Sequence, residues 1–371
     1  MSNKGSYGLK LTVSLLPLSD FAKFSGEWDG LLAKSNADPL FSSWQWMFNW
    51  WQQWGGSKAR LIITLVRDHD GVLVGIAPFY IEKAPFPHLF FPVNRMQMLG
   101  ACSGRPGVRT EHQQFIALEE YESVIVDELW KSIFLYREWS ELIVGDLDRD
   151  SETYHSLMRC LPSGIYCRDE GQEYSYQIDV SSTFEEYLAL LGKNTRLKVF
   201  NRRKTLAQHG EPVLAIWPAS KFSSFIHLLN ECHVTRWGKP CFVRKGLDFH
   251  QQLANWLESN NGLVCHVLSI NGAPIAVSMD YRVGEKLYNI QHGYKPDFDT
   301  KIALGSLMLG YVTEWACKQP QIKSFDLLAG TGKHSNYKAR IAREGSNFTS
   351  WRLCRGWRGY IYKLYDAVRL S

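Results

Sequence analysis

Four short runs of this chain hold side chains that could do chemistry. Lys301-Ile302-Ala303-Leu304-Gly305-Ser306 sets a cation, a small residue and a hydroxyl at the start of an amphipathic segment, Ser306–Lys318. The first N–H groups of a helix lack partners within it and carry partial positive charge, so such a start suits an anion, phosphate above all. The hydroxyl reads as a cap, and the alternative is an ordinary capped helix. His292 sits in a strand just upstream, and an imidazole titrating near neutrality is a candidate general base. Asp326 lies in the next strand, and Tyr337 and Lys338 open the helix after it. Lys193–Gly210 carries Lys193, Arg196, Lys198, Arg202, Arg203 and Lys204 without a single acid. Such a run is a solvated face, or it attracts an acidic sugar, a nucleotide-linked sugar, a tRNA end or the phosphates of a carrier.

The elements that must position these residues follow from local pattern. Leu263–Ile270 is apolar and β-branched, and Asn271-Gly272 is a two-residue hairpin signal leading back into Pro274–Val283. Gly284-Glu285 turns the chain again into Lys286–Tyr294. A helix over Ser306–Lys318, a strand over Ile322–Ala329 and a helix over Asn336–Arg343 complete the order. The result is a mixed sheet whose strand leads into a helix start.

This order resembles the GNAT acyltransferase superfamily. Phe325-Asp326-Leu327-Leu328-Ala329-Gly330 followed by Tyr337-Lys338 is similar to the Asp…Gly…Tyr-Lys signature of its CelD-like branch, which is associated with cellulose and exopolysaccharide gene clusters. The basic segment Leu191–Gly210 is similar to that branch too, and the branch is related in fold to Fem-type aminoacyltransferases. The resemblance implies acyl-CoA as co-substrate, its pyrophosphate held at Lys301, Leu304, Gly305 and Ser306. It places Tyr337 where a phenol can protonate a departing thiolate, with Asp326 pairing Lys338 or orienting a donor and His292 as base. Backbone N–H groups around Gln291–Gly293 would hold the oxyanion. The acceptor side is assigned to Lys338, Arg203 and Trp237.

At 371 residues the chain suits two domains, and 45% hydrophobic residues with 14 prolines exclude a disordered chain. A net charge of +5 is too small to make nucleic acid a default partner. The eight cysteines are scattered without a Cys-x-x-Cys pair, so a reduced chain without metal is expected. Leu11–Leu18 is too short for a signal core or a membrane span, and the cytoplasm is the expected location.

The first half repeats the hairpin grammar: strands over Arg60–Val66 and Val72–Ile81 about Asp70-Gly71, a helix over Glu120–Arg137, and a strand over Ser140–Gly145. Residues 1–178 are therefore read as a degenerate GNAT-like unit and residues 179–371 as the catalytic one. The fold class is α/β, two tandem units, each a mixed, mostly antiparallel sheet flanked by helices. In the first unit, Phe41, Trp44, Phe48 and Trp51 recur on one helical face, a pattern that favours packing over sugar stacking. Arg105 and Arg109 in the loop Ala101–Thr110 are either an anion contact or a solvated connector. The expected reaction is transfer of an acyl group from acyl-CoA to an amine of a sugar or small amino compound in exopolysaccharide synthesis. Two alternatives are a Fem-type enzyme using aminoacyl-tRNA and a non-catalytic accessory protein of polysaccharide synthesis.

Overall fold

The computed structural model describes residues 10–86, 89–101, 107–330 and 335–370. The chain divides into two compact units, residues 1–172 with 347–371, and residues 173–346. The sequence pattern places this boundary at 178/179, with residues 179–371 as one continuous second unit; in the structure residues 347–371 group with the first unit instead. In chain order the principal elements begin with β1 (Thr12–Leu15), α1 (Trp44–Trp54), β2 (Ala59–Arg67), β3 (Leu73–Phe86) and β4 (Leu89–Met98). Next come β5 (Ile116–Ala117), α2 (Glu122–Leu135), β6 (Glu141–Asp148), α3 (Glu152–Cys160), β7 (Ile165–Asp179) and α4 (Phe184–Leu190). Then follow β8 (Pro212–Trp217), α5 (Phe222–Trp237), α6 (Lys245–Glu258), β9 (Leu263–Ile270), β10 (Ala273–Val283) and β11 (Lys286–Tyr294). The last are α7 (Leu304–Cys317), β12 (Ser324–Asp326), α8 (Ser335–Ile341), β13 (Arg343–Arg355) and α9 (Trp357–Leu370).

Unit 1 is built on the strand order β1-β2-β3-β4-β6-β13. All neighbours are antiparallel except β4 and β6. Its last strand comes from the far end of the chain: Leu353 pairs with Leu142. Helix α2 buries Ile125, Val126, Leu129, Trp130, Ile133 and Phe134 against this sheet. Helix α1 starts where Ser43 accepts the Trp46 N–H, as expected of a serine cap. Its fully buried side is Trp46, Trp50 and Trp54; on the side that the spacing marks, Phe41 is buried just before the helix, and Trp44 and Phe48 are half-buried against Phe21. Trp46 donates to Thr110 Oγ1 at 2.8 Å and Trp50 to the Val108 carbonyl at 3.2 Å, while half-buried Trp44 donates to the Phe21 carbonyl at 2.9 Å, so both sides of the helix are packed. Arg109 forms a two-point pair with Asp146, with both bonds at 2.7 Å, while Arg105 lies outside the described residues.

Unit 2 has the order β7-β12-β11-β10-β9-β8, with only β11 and β12 parallel. Its core packs α4 and α7 against the sheet through Phe184, Leu188, Leu307, Met308, Leu309 and Val312. Asn271 and Gly272 both take positive φ, the geometry the hairpin signal requires. Each unit is thus a mixed, mostly antiparallel sheet flanked by helices.

Candidate active site

Two features of β11 create the site. First, β12 pairs with β11 only over Lys286–Tyr288, so among the described residues no strand covers that edge of β11 beyond Tyr288. Second, the β10–β11 register slips between Met279/Asp280 and Gln291/Asn289, leaving Ile290 as a bulged residue. A buried network holds the strands at that point. Asn289 donates to Ser278 Oγ at 2.9 Å and Asp280 Oδ1 at 2.8 Å, and His266 Nδ1 meets the other Asp280 oxygen at 3.1 Å. The opened edge is where backbone donors become available to a ligand. The His292 N–H there donates to the Gln291 side-chain oxygen at 3.1 Å, a contact that a bound carbonyl could replace.

A cleft of about 300 Å³ lies against this edge, lined by Arg236, Trp237, Gln291, His292, Tyr294, Gly305, Ser306 and Tyr337. Helix α5 delivers Arg236 and Trp237, because Gly238 at φ 72 closes the helix with its N–H on the Val234 carbonyl. The following loop is pinned by Asn230, whose side chain accepts from the Cys241 and Phe242 N–H groups at 3.1 and 3.0 Å. Arg236 lies over the Trp237 and Tyr294 rings, 4.5 and 4.7 Å from their centroids, and makes no ion pair among the described residues. Its charge therefore faces the cleft uncompensated.

Five expected residues meet here: His292, Tyr337, Gly305, Ser306 and Trp237. His292 is pushed down to about 4, first by burial and then by Arg236, Lys338 and His233. The ring is accordingly neutral at ordinary pH, and its backbone carbonyl accepts from His233 Nε2 at 3.2 Å. Burial raises the Tyr337 phenol, with Arg236 opposing, so it remains a proton donor across the physiological range. Gly305 is held by shape, since a Cβ there would lie 2.6 Å from the Tyr294 ring. Ser306 does not cap α7: the N-cap is Ala303, which has no side-chain bond.

The other five expected residues do structural work away from the cleft lining. Lys301 is exposed, and its N–H bonds Asp299 Oδ1 at 2.7 Å. Leu304 is buried in the core. Arg203 pairs with Glu314 and lies 3.8 Å from the Tyr311 ring centroid. Asp326 is buried, pairs with Lys286 at 2.9 Å, and accepts the Leu328 N–H at 2.8 Å. Lys338 gives hydrogen bonds to the carbonyls of Leu327, Leu328 and Ala329 at 2.7, 3.0 and 3.0 Å. Asp326 and Lys338 thus grip, from two sides, a turn in which Leu328 adopts φ 59. Lys338→Met is expected to lower stability by about 1–3 kcal/mol, the scale of orphaned backbone carbonyls. Chemical denaturation checks this, and an unchanged midpoint would remove the clasp from the fold's support.

Arg236 and Tyr294 escaped the sequence reading, and Gln291 entered it only through its backbone, not through the side-chain oxygen that takes the His292 N–H. Gly238 after the α5 pattern is the one local signal that could have flagged Arg236, because a helix terminus presents its last residues to a neighbour.

Residues 193–339, all within unit 2, match the family described as Acetyltransferase (GNAT) domain. Over nearly the whole chain the fold is similar to that of FemX, 11% identical with a TM-score of 0.57, covering 91% of this chain and 96% of that one. It is similar also to L-PGS from Bacillus licheniformis, 11% identical, TM-score 0.53, covering 93% and 95%. A third is the C-terminal domain of a putative lysylphosphatidylglycerol synthetase from Agrobacterium fabrum, 9% identical, TM-score 0.52, covering 94% and 96%. At these identities the likeness is one of fold. No curated protein matches the chain by sequence. The second unit therefore carries a GNAT-type transferase fold. Among the described residues, no helix is long and apolar enough to cross a membrane.

Proposed function

We propose that unit 2 transfers an acyl group from acyl-CoA to an amine on a sugar or small amino compound, and that the pathway served is exopolysaccharide synthesis of the CelD-like kind. The observation that carries the transferase reading is the meeting of a neutral His292, a phenol at Tyr337 and the opened edge of β11 in one cleft. The donor supplies an activated carbonyl. The residues fit the acyl end of such a donor. For an anionic part they offer Arg236 and the first turn of α7 at Gly305 and Ser306, whereas Lys301 lies outside the lining.

The roles follow from protonation states. The His292 N–H, once Gln291 moves aside, donates a hydrogen bond to the carbonyl oxygen as negative charge develops on it. The neutral His292 imidazole takes the proton lost by the attacking amine, directly or through water. Tyr337, whose hydroxyl has no hydrogen bond among the described residues, gives a proton to the leaving sulfur. Trp237, half exposed, covers the acceptor. No metal enters this reading.

Because the base form of His292 is required, kcat/KM, once divided by the fraction of acceptor amine in its free-base form, should be flat through neutrality and fall only as pH drops toward about 4. Arg236→Gln removes a cation that lowers the ring, so the acid limb should move to higher pH. Profiles of both proteins with acetyl-CoA, longer acyl-CoAs and an amine panel test the proposal. An acid limb that does not move would take His292 out of the proton path.

An aminoacyl-tRNA donor is the second reading. Lys193, Lys198 and Lys204 are exposed and make no ion pair among the described residues, which favours a polyanionic donor. Salt-sensitive tRNA binding without acyl-CoA binding would select it. Binding of both donors without turnover would point instead to an accessory protein.

A further inference from the structure

Unit 1 carries a second charged cleft, of about 430 Å³, lined in part by Lys83, Arg137, Glu138 and Arg358. Glu138 is the acid in this lining, and its carboxylate is taken by Arg60 and by the Tyr136 hydroxyl at 2.9 Å. Lys83, Arg137 and Arg358 make no ion pair among the described residues, and the Arg358 Nε is buried without a hydrogen bond. Arg355 adds a fourth charge. Its guanidinium bonds only carbonyl oxygens, that of Tyr136 at 2.8 Å and that of Phe134, and lies 3.5 Å from the Trp139 ring centroid. Arg137 and Arg355 also line an adjoining cleft with Leu135 and Gly356.

Large apolar side chains stand out beside these charges. On α9, Trp357, Tyr360 and Leu364 are 49%, 71% and 69% exposed. They recur at i, i+3 and i+7 along one side of the helix. The other side is anchored, with Tyr362 buried and Asp366 accepting from the Tyr166 hydroxyl at 2.8 Å. Lys363 is exposed between the apolar positions, and Leu135, at the end of α2, is 69% exposed. An aromatic and aliphatic stripe beside uncompensated cations matches the interface of an anionic bilayer: rings settle at headgroup depth while ammonium and guanidinium groups meet phosphates. A second copy of the chain fits worse, because a two-fold interface would set this cationic cluster against itself.

We infer that the face formed by α9, the α2–β6 connection, Lys83 of β3 and Asn94 of β4 docks on anionic phospholipid membranes. The inference does not depend on the transferase reading. The test is co-sedimentation of the full chain with vesicles of phosphatidylcholine alone and with added phosphatidylglycerol. Binding is expected on the anionic vesicles, at least about tenfold above the neutral ones, and reduced by salt. Trp357→Ser with Tyr360→Ser, and separately Lys83→Glu with Arg137→Glu, should each lower it by about tenfold or more. These side chains project from the surface, so circular dichroism and the melting temperature should stay unchanged. Equal binding to both vesicle types, or none, would overturn the assignment. So would a dimer abolished by the α9 pair, or RNA binding lost in the charge pair without any vesicle binding.

Discussion

Tyr337→Phe should lower turnover by roughly 10²-fold or more while leaving folding and donor affinity in place. The substitution removes the hydroxyl alone, and the ring keeps its packing against the core of unit 2. Burial raises the phenol above its ordinary value, so the wild-type group is a fully protonated donor at neutral pH. A leaving thiolate departs without full protonation, which makes the phenol helpful without being absolute. With a leaving oxygen, which holds its proton more tightly, the loss should be larger. Steady-state kinetics on both proteins, with donor binding by calorimetry, read the effect. A loss confined to KM would recast Tyr337 as a binding group, and no loss would remove it from the chemistry.

Glu141→Gln is expected to destabilise the protein by about 3–5 kcal/mol, the scale of breaking a buried ion pair from one side. Glu141 is fully buried on β6, and its two oxygens are shared by Arg95 and Arg352, with the Tyr362 hydroxyl adding a bond at 3.1 Å. Arg352 is further held by Glu170 at 2.9 Å. Removing the central negative charge leaves two guanidinium groups facing each other with one partner fewer. Denaturation should therefore show a lower midpoint in the unit 1 transition. If Glu141→Gln unfolds at the wild-type midpoint, this triad contributes geometry and not stability.

Local pattern revealed much of the fold. Strands β9, β10 and β11, the Asn271-Gly272 hairpin and helices α1, α2 and α7 follow from alternation, turn chemistry and helical spacing, each decided by residues close together in the chain. His292, Tyr337, Gly305 and Ser306, which line one cleft, each sit in or beside a strand or helix end that the pattern locates, whereas Trp237 entered only through the family resemblance. What stayed hidden depends on partners far away in sequence. Arg203 reads as a free cation until Glu314 and Tyr311 are seen beside it. Lys338 reads as an anion holder until the turn at Leu327–Ala329 closes under its ammonium. In α1 the surroundings that bury Trp46 and Trp50 come from Thr110 and Val108, far along the chain. The bulge at Ile290 has no local signature, because it arises from the buried Asp280, Asn289 and Ser278 network.

The provenance of β13 also sets an order of assembly. Unit 2 is one uninterrupted stretch of chain whose ends meet, with the Ser346 N–H on Ser175 Oγ at 2.9 Å, so it can close as soon as it leaves the ribosome. Unit 1 cannot, although most of it is made first. Until residues 347–355 emerge, β6 presents an unpaired edge to whatever strand is nearby. Closing the long Leu142–Leu353 separation then becomes its slow step. A chain cut short before Asn347 would thus lose the unit that was synthesised earliest and keep the one that follows it.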